Sequence, residues 1–118
     1  MTPEELKKRT KQFGLRVIRL VESLPGTRTS ATIGNQLLRS GTSVGANYRA
    51  ACRGRSKAEF IAKLGIVEEE EADESAYWIE MLIEAKILRP DSVSQLLAEA
   101  EELTAIMAKS RITAKQKS

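Results

Sequence analysis

Four stretches in which apolar residues return every three or four positions, separated by breaks that carry Pro or Gly, restrict this 118-residue chain to helices. In the first stretch Leu6, Phe13, Val17, Leu20 and Leu24 share one face, with Thr10 bridging the seven-residue gap. Thr2, Pro3 and Glu5 open it as a capping box with proline at the first helical position, and Pro25-Gly26 closes it. The second stretch begins at Thr29 or Ser30 and runs to Cys52, with Ile33, Leu37, Val44, Tyr48 and Ala51 in line and Gly54 as its expected C-cap. A second capping box, Ser56-Lys57-Ala58-Glu59, starts the third, which meets no breaker before Leu88. Its expected inner face is Phe60, Leu64, Val67, Trp78, Met81, Leu82 and Ala85, and between Val67 and Trp78 that face passes through Glu71 and Glu74 or Ser75. After Arg89-Pro90-Asp91 the fourth carries Val93, Leu96, Ala100, Leu103 and Met107. The pattern predicts helices over residues 3–24, 30–52, 57–88 and 91–109, then a basic, disordered tail over 110–118. No segment alternates like a strand. Four amphipathic helices with short connections make an all-α, up-down-up-down four-helix bundle, a single domain over residues 1–109.

The residue inventory argues against catalysis. The chain has one cysteine and no histidine, so it has no internal disulfide, no Cys/His zinc site and none of the Glu-x-x-His pairs of carboxylate-bridged metal bundles. The commonest general acid and base is missing. Cys52 sits among Arg49, Arg53 and Arg55, which favour a thiolate, but nothing else supports a reactive role. Ser40 and Ser43 have no neighbouring base, and Glu68, Glu69 and Glu70 read as a solvated helix face. The expectation is a non-enzymatic binding protein with no catalytic residue, cofactor, metal or small-molecule substrate. The absence of any apolar run near the roughly 18 residues of a membrane span, and of a leader-like N-terminus, gives a cytoplasmic expectation without membrane contact.

Charge is unevenly distributed. Residues 1–57 hold 12 Lys and Arg against 3 Asp and Glu, whereas residues 58–88 hold 2 against 9. Either the basic half meets a polyanion, or the two halves pair with each other. Lys7, Lys8, Arg9, Lys11 and Arg16 crowd the first helix, and Arg49, Arg53, Arg55 and Lys57 crowd the junction of the second and third. These are the candidate nucleic-acid-binding residues, because rigidly held cations neutralise phosphates and release counterions. Aromatic residues for base stacking are few, at 4%, and no helix-turn-helix or other named reader is present. Binding to RNA or DNA would then follow shape and charge.

Beside the apolar stripe of the second helix runs a polar one: Gln36, Ser40, Ser43 and Asn47, with Arg39 adjacent and Gly41 and Gly45 among them. A mid-helix glycine costs on the order of 1 kcal/mol against alanine. Close helix packing is the simplest compensation, and a tolerated surface weakness is the other. If the stripe faces inward, its groups need partners. The expected network has Arg39 and Asn47 satisfying Glu71 and Glu74, with Gln36 and Ser43 alongside, fixing helix register or a subunit interface.

Two blocks carry a family resemblance. The run from Gln36 to Ala51 (QLLRSGTSVGANYRAA) is similar to the signature of four-helix bundle proteins encoded within intervening sequences of bacterial large-subunit ribosomal RNA genes. So are the blocks Ser56–Leu64 (SKAEFIAKL) and Glu70–Trp78 (EEADESAYW), and the Leu24-Pro25 turn fits as well. The resemblance covers about residues 10–108. It implies an up-down bundle assembled as a homopentameric ring. It also implies kinship in fold with the accessory proteins of diversity-generating retroelements, which bind nucleic acid and a reverse transcriptase. Ala50 stands where many relatives carry an acidic residue, which leaves this surface more basic and removes any role that needed a carboxylate there. The leading expectation is thus a homo-oligomeric protein, a pentamer by that resemblance, that contacts RNA or DNA. The alternative is a scaffold that docks a genetically linked partner protein without nucleic acid.

Overall fold

The computed structural model describes residues 1–117, which fold into four helical rods with no strand among the described residues. The first rod is α1 (Pro3–Glu22), where Thr2 Oγ1 accepts the backbone N–H of Glu5 at 3.1 Å. The second is α2 (Arg28–Cys52). Its cap is Thr27 instead of Thr29 or Ser30: Thr27 is extended and accepts the N–H of Ser30 at 3.1 Å, while Ser30 is buried. Arg53 is the C-cap, and Gly54 is not left-handed. A Cβ on Gly54 would lie 3.1 Å from the Ala51 carbonyl, so close packing accounts for this glycine.

The third rod is composite. It comprises α3 (Lys57–Ile66), a π-helical segment (Val67–Ala72) and α4 (Asp73–Glu84), and it opens on the expected Ser56 cap, which accepts the Glu59 N–H at 3.1 Å. A π turn widens the helix and rotates everything after it relative to a straight 3.6-residue register. The buried positions therefore run Leu64, Val67, Glu71, Ala72, Ser75, Ala76, Ile79 and Leu82. The straight-helix expectation placed Trp78, Met81 and Ala85 inside. Trp78 and Met81 are half-buried, Ala85 is exposed, and Ile79 takes the core position. The rod also stops earlier than Leu88. Lys86 adopts φ 61°, and the N–H groups of Ile87 and Leu88 return to the Leu82 carbonyl at 3.0 and 3.1 Å, a left-handed cap made without glycine.

The fourth rod, α5 (Pro90–Gln116), continues well past residue 109, so residues 110–116 are helical, not a disordered tail. Arg111 explains the extension. Its guanidinium donates from Nε at 3.0 Å and from Nη2 at 2.7 Å to Glu68 Oε1 on the π segment. Glu68 is thus half-buried and paired, not part of a solvated face. Ser118 lies outside the described residues.

Phe13, Val17, Leu37, Val44, Leu64, Ile79, Leu82, Leu103 and Met107 are fully buried, so every rod contributes to one aliphatic core. α1 and α2 pack closely against each other. A Cβ on Gly41 would lie 2.7 Å from Val17 Cγ2, and one on Gly45 would lie 3.3–3.4 Å from the backbone of Thr10 and Lys11. Gly34 faces Val21 and Leu24 in the same way. The glycines of the polar stripe therefore serve close helix packing. The molecule measures 50 × 21 × 20 Å, and no described helix is long and apolar enough to cross a membrane.

Candidate nucleic-acid interface

The α1–α2 contact that demands glycine inside leaves a notch outside. An open groove of about 880 Å³ runs along the two helices, floored by Gly14, Thr42, Gly45 and Ala46. Leu15 and Ile18 line it too, and its charged groups are Lys7, Lys8, Lys11 and Arg49 together with Glu4 and Glu5. Lys7 is tied to Glu4 at 3.2 Å, whereas Lys8, Lys11 and Arg49 are exposed and form no ion pair among the described residues. One helical turn beyond Arg49, Arg53 continues the same side of α2 into the turn that leads to Arg55 and Lys57, all exposed and without an ion pair among the described residues. The chain thus brings the candidate cations of α1 and of the α2–α3 turn onto a connected surface.

Two of the candidate residues are placed elsewhere. Arg9 points to α5, where its Nε and Nη2 donate to the two carboxylate oxygens of Glu99, each at 2.7 Å, and Nη2 also lies 2.8 Å from Glu102. This bidentate, half-buried pairing raises its pKa, chiefly through the Glu99 hydrogen bonds and then those of Glu102. Arg9 fastens α1 to α5 and is not available to a phosphate. Arg16 borders a separate small crevice with Arg19 and Asp91. The tripeptide Lys7-Lys8-Arg9 gave no sign of this division, because the acidic partners of Arg9 lie some ninety positions away.

The polar network forms in part. Arg39 Nη2 lies 3.6 Å from Glu74 Oε2, which also accepts the Trp78 indole N–H at 3.0 Å. Deeper in, the hydroxyls of Ser40 and Ser75 meet at 2.9 Å, and Ser75 donates to the Glu71 carbonyl at 2.7 Å. The Ser40–Ser75 bridge ties α2 to α4 and was legible only as the ambiguity between Glu74 and Ser75. The Glu71 carboxylate departs from expectation. It is 8% exposed, and its Oε2 is buried with no hydrogen-bond partner. Asn47 forms no hydrogen bond to it; Asn47, Ser43 and Gln36 are half-buried along α2. Burial pushes the Glu71 carboxyl above its ordinary pKa, Arg39 partly opposes this, and Glu74 and Glu70 add to it. Among the described residues no group of three His, Cys, Asp or Glu side chains is arranged to hold a metal ion.

The sequence profile described as 23S rRNA-intervening sequence protein matches residues 4–109. The chain belongs to that family. A crystal structure of a protein of unknown function from the S23 ribosomal protein family of Bacteroides thetaiotaomicron has the same fold. It is 31% identical, with a TM-score of 0.86, and the match covers 94% of this chain and 98% of that one. No curated protein sequence matches significantly. In this member of the 23S rRNA-intervening sequence protein family, the signature-like residues Ser40, Gly41 and Gly45 serve helix packing, and Arg39 and Glu74 link α2 to α4. The unpaired cations lie outside that packed seam.

Proposed function

We propose that this protein is a non-enzymatic, self-associating nucleic-acid-binding protein, an up-down-up-down bundle that assembles as a ring, in keeping with the pentamer implied by its family resemblance. The ligand class is RNA or DNA, held through its phosphates. The observation that carries this reading is the exposed cluster Arg53, Arg55 and Lys57 at the α2–α3 turn, which forms no ion pair among the described residues. Cations held by a rigid bundle and not neutralised within the chain are available to phosphates, and a ring multiplies such a cluster into a multivalent surface. The scarcity of exposed aromatic groups supports recognition by backbone and shape.

The test is binding to a fluorescent RNA hairpin and a matched DNA duplex. Neutralising Arg53, Arg55 and Lys57 together is expected to weaken binding by at least tenfold while the helical circular dichroism stays unchanged. Equal affinity of variant and parent would overturn the assignment of this surface. No binding by the parent at low salt would overturn the nucleic-acid reading and leave the protein-docking scaffold.

A further inference from the structure

The charge asymmetry of the chain is not resolved within one copy. α1 packs on α2 and α5 and on no other element, so its groove and the acidic third rod lie on different sides of the bundle. The ion pairs Arg9–Glu99, Arg39–Glu74 and Arg111–Glu68 each use a base outside the groove rim. What remains is two unsatisfied surfaces of opposite sign. One is the groove, where Glu4 is paired with Lys7, and Lys8, Lys11 and Arg49, without an ion pair among the described residues, outnumber the carboxylate of Glu5. The other is the outer edge of the third rod, where Ile66, Glu69, Glu70, Asp73 and Tyr77 are all exposed.

Their apolar character matches as well. The groove lining includes Leu15, 38% exposed, above a floor of glycine, alanine and Thr42. The acidic edge displays Ile66 at 38% and Tyr77 at 52%. Large hydrophobic groups exposed beside like-charged residues lose little by desolvation and gain from an apolar partner, whereas a phosphate backbone gains nothing from such a floor. A notch lined by small residues admits a bulky side chain, and Tyr77 is the largest exposed one.

We infer that the α1–α2 groove of one copy receives the acidic edge Ile66–Tyr77 of the next copy, with Tyr77 seated on the small-residue floor and Glu69, Glu70 and Asp73 facing Lys8, Lys11 and Arg49. This rests on the self-association proposed above and names its two faces. Because the faces differ and lie on different sides of the bundle, the contact is head-to-tail, and it closes into a ring when the rotation per subunit divides the circle. The nucleic-acid surface is then left to Arg53, Arg55 and Lys57.

A charge swap read by light scattering tests the proposal. The parent is expected to run at a multiple of the 13.1 kDa chain mass. Reversing the groove (Lys8→Glu, Lys11→Glu, Arg49→Glu) or the edge (Glu69→Lys, Glu70→Lys, Asp73→Lys) is expected to bring the mass to that of one chain. Both reversals on the same chain are expected to restore the parental multiple. All six positions are exposed, and circular dichroism checks that each variant is folded. A monomeric parent would overturn the self-association reading itself. An assembled parent whose mass neither reversal changes, or a double reversal that stays monomeric, would overturn this interface alone. Groove variants that stay assembled but lose RNA binding would assign the groove to nucleic acid and likewise overturn it.

Discussion

Gly41→Ala is a measurement in which two known effects oppose each other and the structure decides the winner. In an open helix the change stabilises by about 1 kcal/mol, because alanine is the better helix former. At Gly41 the new Cβ would lie 2.7, 2.8 and 3.0 Å from Val17 Cγ2, Cγ1 and Cβ. Ordinary carbon contacts are about 3.5–4.0 Å. Val17 is β-branched and stiff at χ1, and since the contact includes its own Cβ, no rotamer relieves it. The α1 helix must shift away, at an overpacking cost of about 2–3 kcal/mol. The expected net loss is about 1–2 kcal/mol, a fall in melting temperature of roughly 4–10 °C for a domain of this size. Gly65→Ala is the internal reference. Its Cβ would meet just the flexible Arg111 Cδ at 3.9 Å, so the full propensity gain of about 1 kcal/mol is expected. Urea denaturation of both variants and the parent, at one protein concentration to hold assembly constant, gives the comparison. Stabilisation by Gly41→Ala equal to that by Gly65→Ala would refute the packing argument.

Other perturbations address single features. Glu71 has a raised pKa, so the folded state holds its proton to higher pH than the unfolded one and its contribution to stability falls as pH rises from the ordinary carboxylate value through the folded one. Glu71→Gln, which cannot charge, is expected to raise the melting temperature at pH 7 and to leave it nearly unchanged at pH 4; an unchanged value at pH 7 would show that the buried carboxylate costs nothing. Lys86→Gly removes a left-handed non-glycine residue and is expected to stabilise by about 1 kcal/mol, measured by thermal melting. Arg9→Met keeps most of the side-chain bulk but breaks the half-buried link to Glu99, at an expected cost of about 1–2 kcal/mol, and at low salt leaves RNA affinity within about twofold of the parent. Arg111→Ala is expected to speed amide exchange in the last turns of α5 without affecting α1.

Much of the fold was written locally. The Thr2 and Ser56 caps follow from three-residue spacings, and the α1–α2 seam follows from two glycines in a helical stripe. What the sequence hid depends on partners distant along the chain or on backbone states without a local marker. Arg9 looks like its lysine neighbours until α5 brings Glu99 to it. Arg111 belongs to a polar tail until Glu68 pairs with it and holds the helix together. The π segment carries no proline or glycine, so a 3.6-residue count across Glu68–Glu71 misassigns Trp78 and Ile79. Lys86 takes a left-handed turn usually given to glycine, which hid the end of the third rod. For the candidate interface, the cations themselves were legible from composition, but their division among a groove, a crevice, a turn and a half-buried pair required the fold.

In the proposed function the exposed cations of the α2–α3 turn, Arg53, Arg55 and Lys57, contact phosphates. Affinity for an RNA hairpin, measured across a salt series, tests it most directly. The logarithm of the association constant is expected to fall linearly with the logarithm of salt concentration, and neutralising Arg53, Arg55 and Lys57 is expected to reduce the slope by about two to three units. Affinity independent of salt, or a slope that the triple variant does not change, would contradict the account.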